Sequence, residues 1–119
     1  METGFKTGLF KRSERIKSPV EFKNLFKYGK KASVSGAKIF VLENNLEINR
    51  IGFPLPRGYG NAIQRNLSKR YSREAYRLLK SQLNIGYDIL LLVYPNNDSF
   101  SLRCAQLNAL FTKIGLIKE

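Results

Sequence analysis

The chain has 119 residues, 43% hydrophobic and 25% charged, which suffices for one domain with a modest core and no metal or disulfide framework. Its 21 Lys and Arg against nine Asp and Glu give a net charge of +12, so a polyanionic partner is expected, nucleic acid first and an anionic membrane surface second. The absence of histidine excludes Ser-His and Cys-His nucleophile pairs and His-ligated zinc, and the single Cys104 excludes an internal disulfide.

The lone cysteine points to a reducing, cytoplasmic compartment, and its neighbours Leu102, Ala105 and Leu107 suit a buried apolar residue rather than a nucleophile. No apolar run approaches the roughly 18 residues that span a membrane, and the first residues lack the hydrophobic stretch of a secretory signal. Asp88 and Asp98 are the only aspartates, and the acids are scattered, so no catalytic or metal-binding carboxylate cluster is expected.

Residues 1–17 carry Lys6, Lys11, Arg12, Arg15 and Lys17 without periodicity and read as a loosely attached basic arm, leaving 18–119 as one domain. Ser18-Pro19-Val20-Glu21 predicts a helix start, with serine as cap, proline in the first turn and Glu21 closing a capping box. Phe22, Leu25 and Phe26 follow at helical spacing, and Gly29 is the stop. The run 37–43 predicts a buried strand, Asn44-Asn45 a turn, and 48–55 a second strand returning in a hairpin, with Pro54 and Pro56 marking a sheet edge. Asn61 caps a predicted helix reaching Lys80; 88–94 predicts a central strand. A last helix begins near Ser99–Ser101, with Leu102, Leu107, Leu110, Phe111 and Ile114 inward and Gly115 as stop. This order of elements predicts a single-domain α/β (α+β) sandwich, αβ(β)βαβα, with helices packed on a small sheet.

The helix over 61–80 carries the charge. At about 100° per residue, Arg65, Lys69, Arg70, Arg73, Arg77 and Lys80 fall within roughly 140°. Leu67, Tyr71, Ala75, Leu78 and Leu79 are placed on the other side, and Glu74 is the helix's only acid. Like charges at i, i+4 cost a few tenths of a kcal/mol per pair, so a phosphate backbone would offset a cost that a solvated face would leave standing. The arginine forks suit bidentate phosphate contact, and Asn66 adds a neutral donor and acceptor.

This stretch resembles the signature helix of the bacterial ribonuclease P protein family, which has Arg-Asn-Arg near its start, then Lys-Arg and a further Arg. The matching residues are Arg65, Asn66, Lys69, Arg70 and Arg73, preceded by Gly60-Asn61-Ala62. Arg15-Ile16-Lys17 with Phe22, Phe26 and Gly29 is similar to the family's N-terminal helix region. Arg50-Ile51-Gly52-Phe53 and Gly86-Tyr87-Asp88 are similar to the strands before and after the signature. Three departures stand out. Leu67 replaces the second signature arginine, Ser68 and Ser72 occupy usually apolar positions, and Pro54-Leu55-Pro56-Arg57-Gly58 replaces a serine- and lysine-rich stretch.

The resemblance implies a ribosomal protein S5 domain 2-like fold with a left-handed βαβ crossover. It also implies a non-catalytic protein that pairs one-to-one with ribonuclease P RNA, chemistry being carried by that RNA with Mg2+. The implied substrate is precursor tRNA, whose single-stranded 5′ leader lies in a cleft between the first helix and the sheet. Phe22, Phe26 and Phe40 match its lining, with Lys69 and Arg73 at its basic edge, while Arg65, Asn66, Lys69, Arg70, Arg73 and Arg77 are the expected RNA-binding residues. Read from composition alone, the three phenylalanines are core residues; only the resemblance makes them candidates for the cleft. A different RNA-binding protein, a stand-alone nuclease and a peripheral membrane protein are the competing readings; the ordered match across the chain favours the ribonuclease P protein family over all three.

Overall fold

The computed structural model describes residues 10–95 and 98–119. In chain order it comprises a 3-10 turn at Arg12–Glu14, α1 (Pro19–Tyr28), β1 (Lys30–Val34), β2 (Ala37–Glu43), β3 (Arg50–Gly52), α2 (Ala62–Leu79), a second 3-10 turn (Lys80–Gln82), β4 (Tyr87–Val93) and α3 (Phe100–Ile114). The four strands form one sheet in the order β1-β2-β4-β3, antiparallel except for the β3–β4 pair, which is parallel and joined through α2.

Helix starts follow the sequence. The hydroxyl of Ser18 accepts the Glu21 N–H, Asn61 and Gln64 form a reciprocal capping box, and Ser99 accepts the Leu102 N–H. Gly115 ends α3 at φ +81°, a left-handed conformation that glycine adopts without steric cost. Glu21 corrects one expectation: its carboxylate closes no box but pairs with Arg50 at 2.9 Å, tying α1 to the sheet.

The hairpin is also corrected. β2 pairs not with the segment after Asn44-Asn45 but with β1, through a tight turn at Ser35-Gly36, and 48–55 yields only the short edge strand β3. The alternating polar and small residues of Lys30–Val34 gave no apolar signal, because β1 is an edge strand with mostly exposed side chains.

β4 is buried on both faces, with Ile89, Leu90 and Leu91 fully inaccessible. On one face Ile39, Val41, Ile51, Ile89 and Leu91 meet Ala75 and Tyr76 of α2 and Leu107, Leu110 and Phe111 of α3. On the other, Phe40 and Leu90 meet Leu25 of α1 and Ile16. Burying about 100 Å² of side chain at ~25 cal/mol per Å² makes each such residue worth ~2–3 kcal/mol.

The expected arm is corrected where it is described. Residues 10–17 are docked: Ile16 is buried, its N–H donates to the Ile51 carbonyl at 3.0 Å, and Arg15 bridges Ile51 in parallel. Phe10 packs edge-on against Phe53 and Tyr76, and Lys80 Nζ reaches Glu14 at 2.6 Å. Residues 1–9, with Lys6, lie outside the described residues.

Candidate nucleic-acid interface

α2 spans one face of the molecule, and its inward side differs from the expected one. Ser68, Ser72, Ala75 and Tyr76 are buried, whereas Leu67 is 42% and Leu78 59% exposed. The reason lies in α3, where Arg103 turns inward and Leu102, expected inside, is exposed. The guanidinium of Arg103, wholly inaccessible, uses all five N–H donors. Nε donates to Gln106 Oε1 at 3.2 Å, one terminal nitrogen to the Ser68 carbonyl at 2.9 Å and to Ser72 Oγ, the other to Ser68 Oγ at 3.2 Å and to the Asp98 carboxylate. The serines at usually apolar positions are therefore acceptors for a buried cation. Burial pushes the Asp98 carboxyl up, but the Tyr59 hydroxyl at 2.7 Å and Arg103 outweigh it and hold its pKa below the usual carboxylate range.

The rotation this network imposes places the cations. Lys69 and Arg73 face a cleft of about 400 Å³ at the β3 edge, whose other walls include Phe22 of α1, Gly52, Phe53 and the docked segment with Arg15, Ile16 and Lys17. The fit of Phe22 is close, since a Cβ on Gly52 would lie 2.5 Å from its ring. Of the expected cleft residues the structure thus brings together Phe22, Lys69 and Arg73. Phe26 of α1 and Phe40 of β2 lie outside this cleft, stacked edge-to-face with centroids 4.9 Å apart; Phe40 is buried core, and Phe26 is 40% exposed. Sequence reasoning missed Phe10, Arg15, Lys17 and Phe53 as wall residues. The signal for two of them was present, a buried Ile16 flanked by two outward cations.

The six cations of the helix do different work. Arg65 donates to the Pro56 carbonyl at 3.1 Å and holds the preceding loop. Lys80 is engaged with Glu14, and Arg77 with Glu74 at 3.4 Å. Lys69, Arg70 and Arg73 form no ion pair among the described residues, and Asn66 is exposed beside them. An unneutralised cationic crest above an aromatic-walled cleft suits a single-stranded polyanion, with phosphates on the cations and bases on the rings. Among the described residues no three acidic, His or Cys side chains converge as metal ligands.

Comparison with known proteins identifies the family and the fold. The family described as Ribonuclease P matches residues 10–115. The ribonuclease P protein component of Natranaerobius thermophilus is 42% identical over 91 residues, 76% of this chain and 79% of that protein. Among solved structures, a variant of the Staphylococcus aureus RNase P protein superposes with TM-score 0.83 at 21% identity, covering 95% of this chain and 98% of the other. The RNase P protein from Thermotoga maritima gives 0.73 at 27% identity, over 82% and 94%.

Proposed function

The chain belongs to the bacterial ribonuclease P protein family, and from that premise we propose that it docks on ribonuclease P RNA through the crest of α2 and holds the 5′ leader of precursor tRNA in the β3-edge cleft. Membership makes it the protein component of an endoribonuclease that processes tRNA 5′ ends, with the ribonuclease P RNA as its partner. In the proposed division of labour the protein is non-catalytic. Bond cleavage belongs to the RNA, which with the substrate brings the Mg2+, and the protein's side chains bind and orient. No helix among the described residues is long and apolar enough to cross a membrane, and the reading places the chain in the cytoplasm as one protein on one RNA.

The observation that carries the reading is that Phe22, Lys69 and Arg73, drawn from two separate helices, line one cleft. A stacked base contributes ~1–3 kcal/mol and does so for any sequence, which suits a leader of variable sequence. Mature tRNA has no leader to enter the cleft, so the gain would favour precursor over product. Each phosphate neutralised adds ~0.7–0.9 to the salt slope, and the cations would lower the magnesium needed to hold the folded complex together.

The test is precursor-tRNA cleavage by a bacterial ribonuclease P RNA at low magnesium, with and without the chain. Correct 5′ cleavage only with both components is the expected result; no stimulation of an RNA competent at high magnesium refutes it. Lys69→Ala and Arg73→Ala should each weaken precursor binding and flatten its salt dependence by about one unit.

A further inference from the structure

The crest of α2 has a second flank. On the side away from the β3 cleft, Leu67, Tyr71 and Phe100 line a groove of about 630 Å³ between α2 and the start of α3, with Arg70 and Arg77 along its α2 wall and Glu74 between them. Leu67 is 42% and Phe100 39% exposed, so the groove presents an apolar and aromatic surface to solvent. Arg77 is poorly satisfied: its ion pair with Glu74 is long, at 3.4 Å, and its buried Nε–H has no partner. The guanidinium can leave that arrangement for a better anion at little cost.

We propose that this groove receives an unpaired nucleotide of the ribonuclease P RNA, its base against Phe100, Tyr71 and Leu67 and its phosphate on Arg70 and Arg77. The proposal rests on the functional reading above and deepens it by dividing the cations of α2 between two occupants. Lys69 and Arg73 serve the leader cleft, while Arg70 and Arg77 serve the RNA subunit. Two features select a nucleotide over other occupants. The two arginines stand beside rings, which pairs a phosphate site with a stacking surface. A second copy of the chain, at net charge +12, is repelled. Leu67, standing where the family has arginine, then supplies apolar contact to the base.

Binding of the full-length chain to ribonuclease P RNA alone, across a range of salt, tests this. Phe100→Ala should lower affinity about fivefold to a hundredfold, the range for one lost base stack, with the salt slope unchanged because stacking releases no counterions. Arg70→Gln should flatten the slope by about 0.7–0.9. With a photoreactive benzoylphenylalanine in place of Phe100, the crosslink should map to an unpaired nucleotide of the RNA subunit. Affinity within twofold for both Phe100→Ala and Leu67→Ala, or a crosslink to the leader or to another protein chain, overturns the proposal. Failure of the unaltered chain to bind the RNA at all would instead sink the functional reading itself.

Discussion

Arg103→Met removes the cation that joins α2 to α3 while keeping much of its volume. The Asp98 carboxylate, 15% exposed, keeps the Tyr59 hydroxyl but loses its counter-ion; two serine hydroxyls and the Gln106 amide oxygen lose their donors. Removing one partner of a buried ion pair costs ~3–5 kcal/mol, which covers most of this loss because hydroxyls can turn to neighbouring carbonyls. Against a total stability of ~5–15 kcal/mol the variant should be marginal. With a urea m-value of ~2 kcal/mol per M, the midpoint should fall by ~2 M, read by far-UV circular dichroism. Combining Arg103→Met with Ser68→Ala, Ser72→Ala and Asp98→Asn removes the stranded charge and both stranded hydroxyls together and should recover part of the loss. A single variant losing under ~1 kcal/mol, or a quadruple variant as unstable as the single, would refute the claim that the network is a fully satisfied unit.

Gly52→Ala places a methyl 2.5 Å from the Phe22 ring and should cost ~1–3 kcal/mol in urea unfolding while reducing the preference for precursor over mature tRNA, because Phe22 must leave its place in the cleft. Asp98 titrates below its unfolded-state value, so its contribution is fully present above about pH 4 and is lost as pH falls through the folded pKa; Asp98→Asn should flatten the acid limb of stability against pH between about 5 and 2. Burial pushes the Cys104 thiol up, so alkylation at pH 8 should be markedly slower in the native chain than in urea, and equal rates would place the thiol outside the packed interior.

What the sequence made legible was local. Caps at Ser18, Asn61 and Ser99, the stop at Gly115 and the doubly buried run of β4 follow from short-range chemistry and needed no tertiary information. The inward side of α2 was not legible, because its hydrophobic pattern points to Leu67 and Leu78 while the buried positions hold serines. Only the arrival of Arg103 from 31 to 35 residues away makes those serines good core residues. β1 escaped for the opposite reason: an edge strand with few buried side chains carries almost no period-2 signal. The cleft was half legible. Phe22, Lys69 and Arg73 came from the family resemblance, whereas the docking of residues 10–17 depends on Glu14 meeting Lys80 across 66 positions.

The same arrangement sets two salt effects against each other. Arg65, Lys69, Arg73 and Arg77 follow one another at i, i+4, three repulsive pairs costing together ~1 kcal/mol at low salt, and Arg103 adds a further cation beneath them. Asp98 neutralises that buried charge locally, but Glu74 is the only acid on the helix to relieve the crest. Added NaCl shortens the screening length from ~30 Å at 0.01 M to ~8 Å at 0.15 M, which should raise the urea midpoint of the free chain. Over the same range affinity for RNA should fall, with a log–log slope near −0.9 for each duplex phosphate neutralised. A free chain that loses stability as NaCl rises would mean that crest repulsion is not what the helix works against, and the case for a phosphate partner built on that repulsion would fail with it.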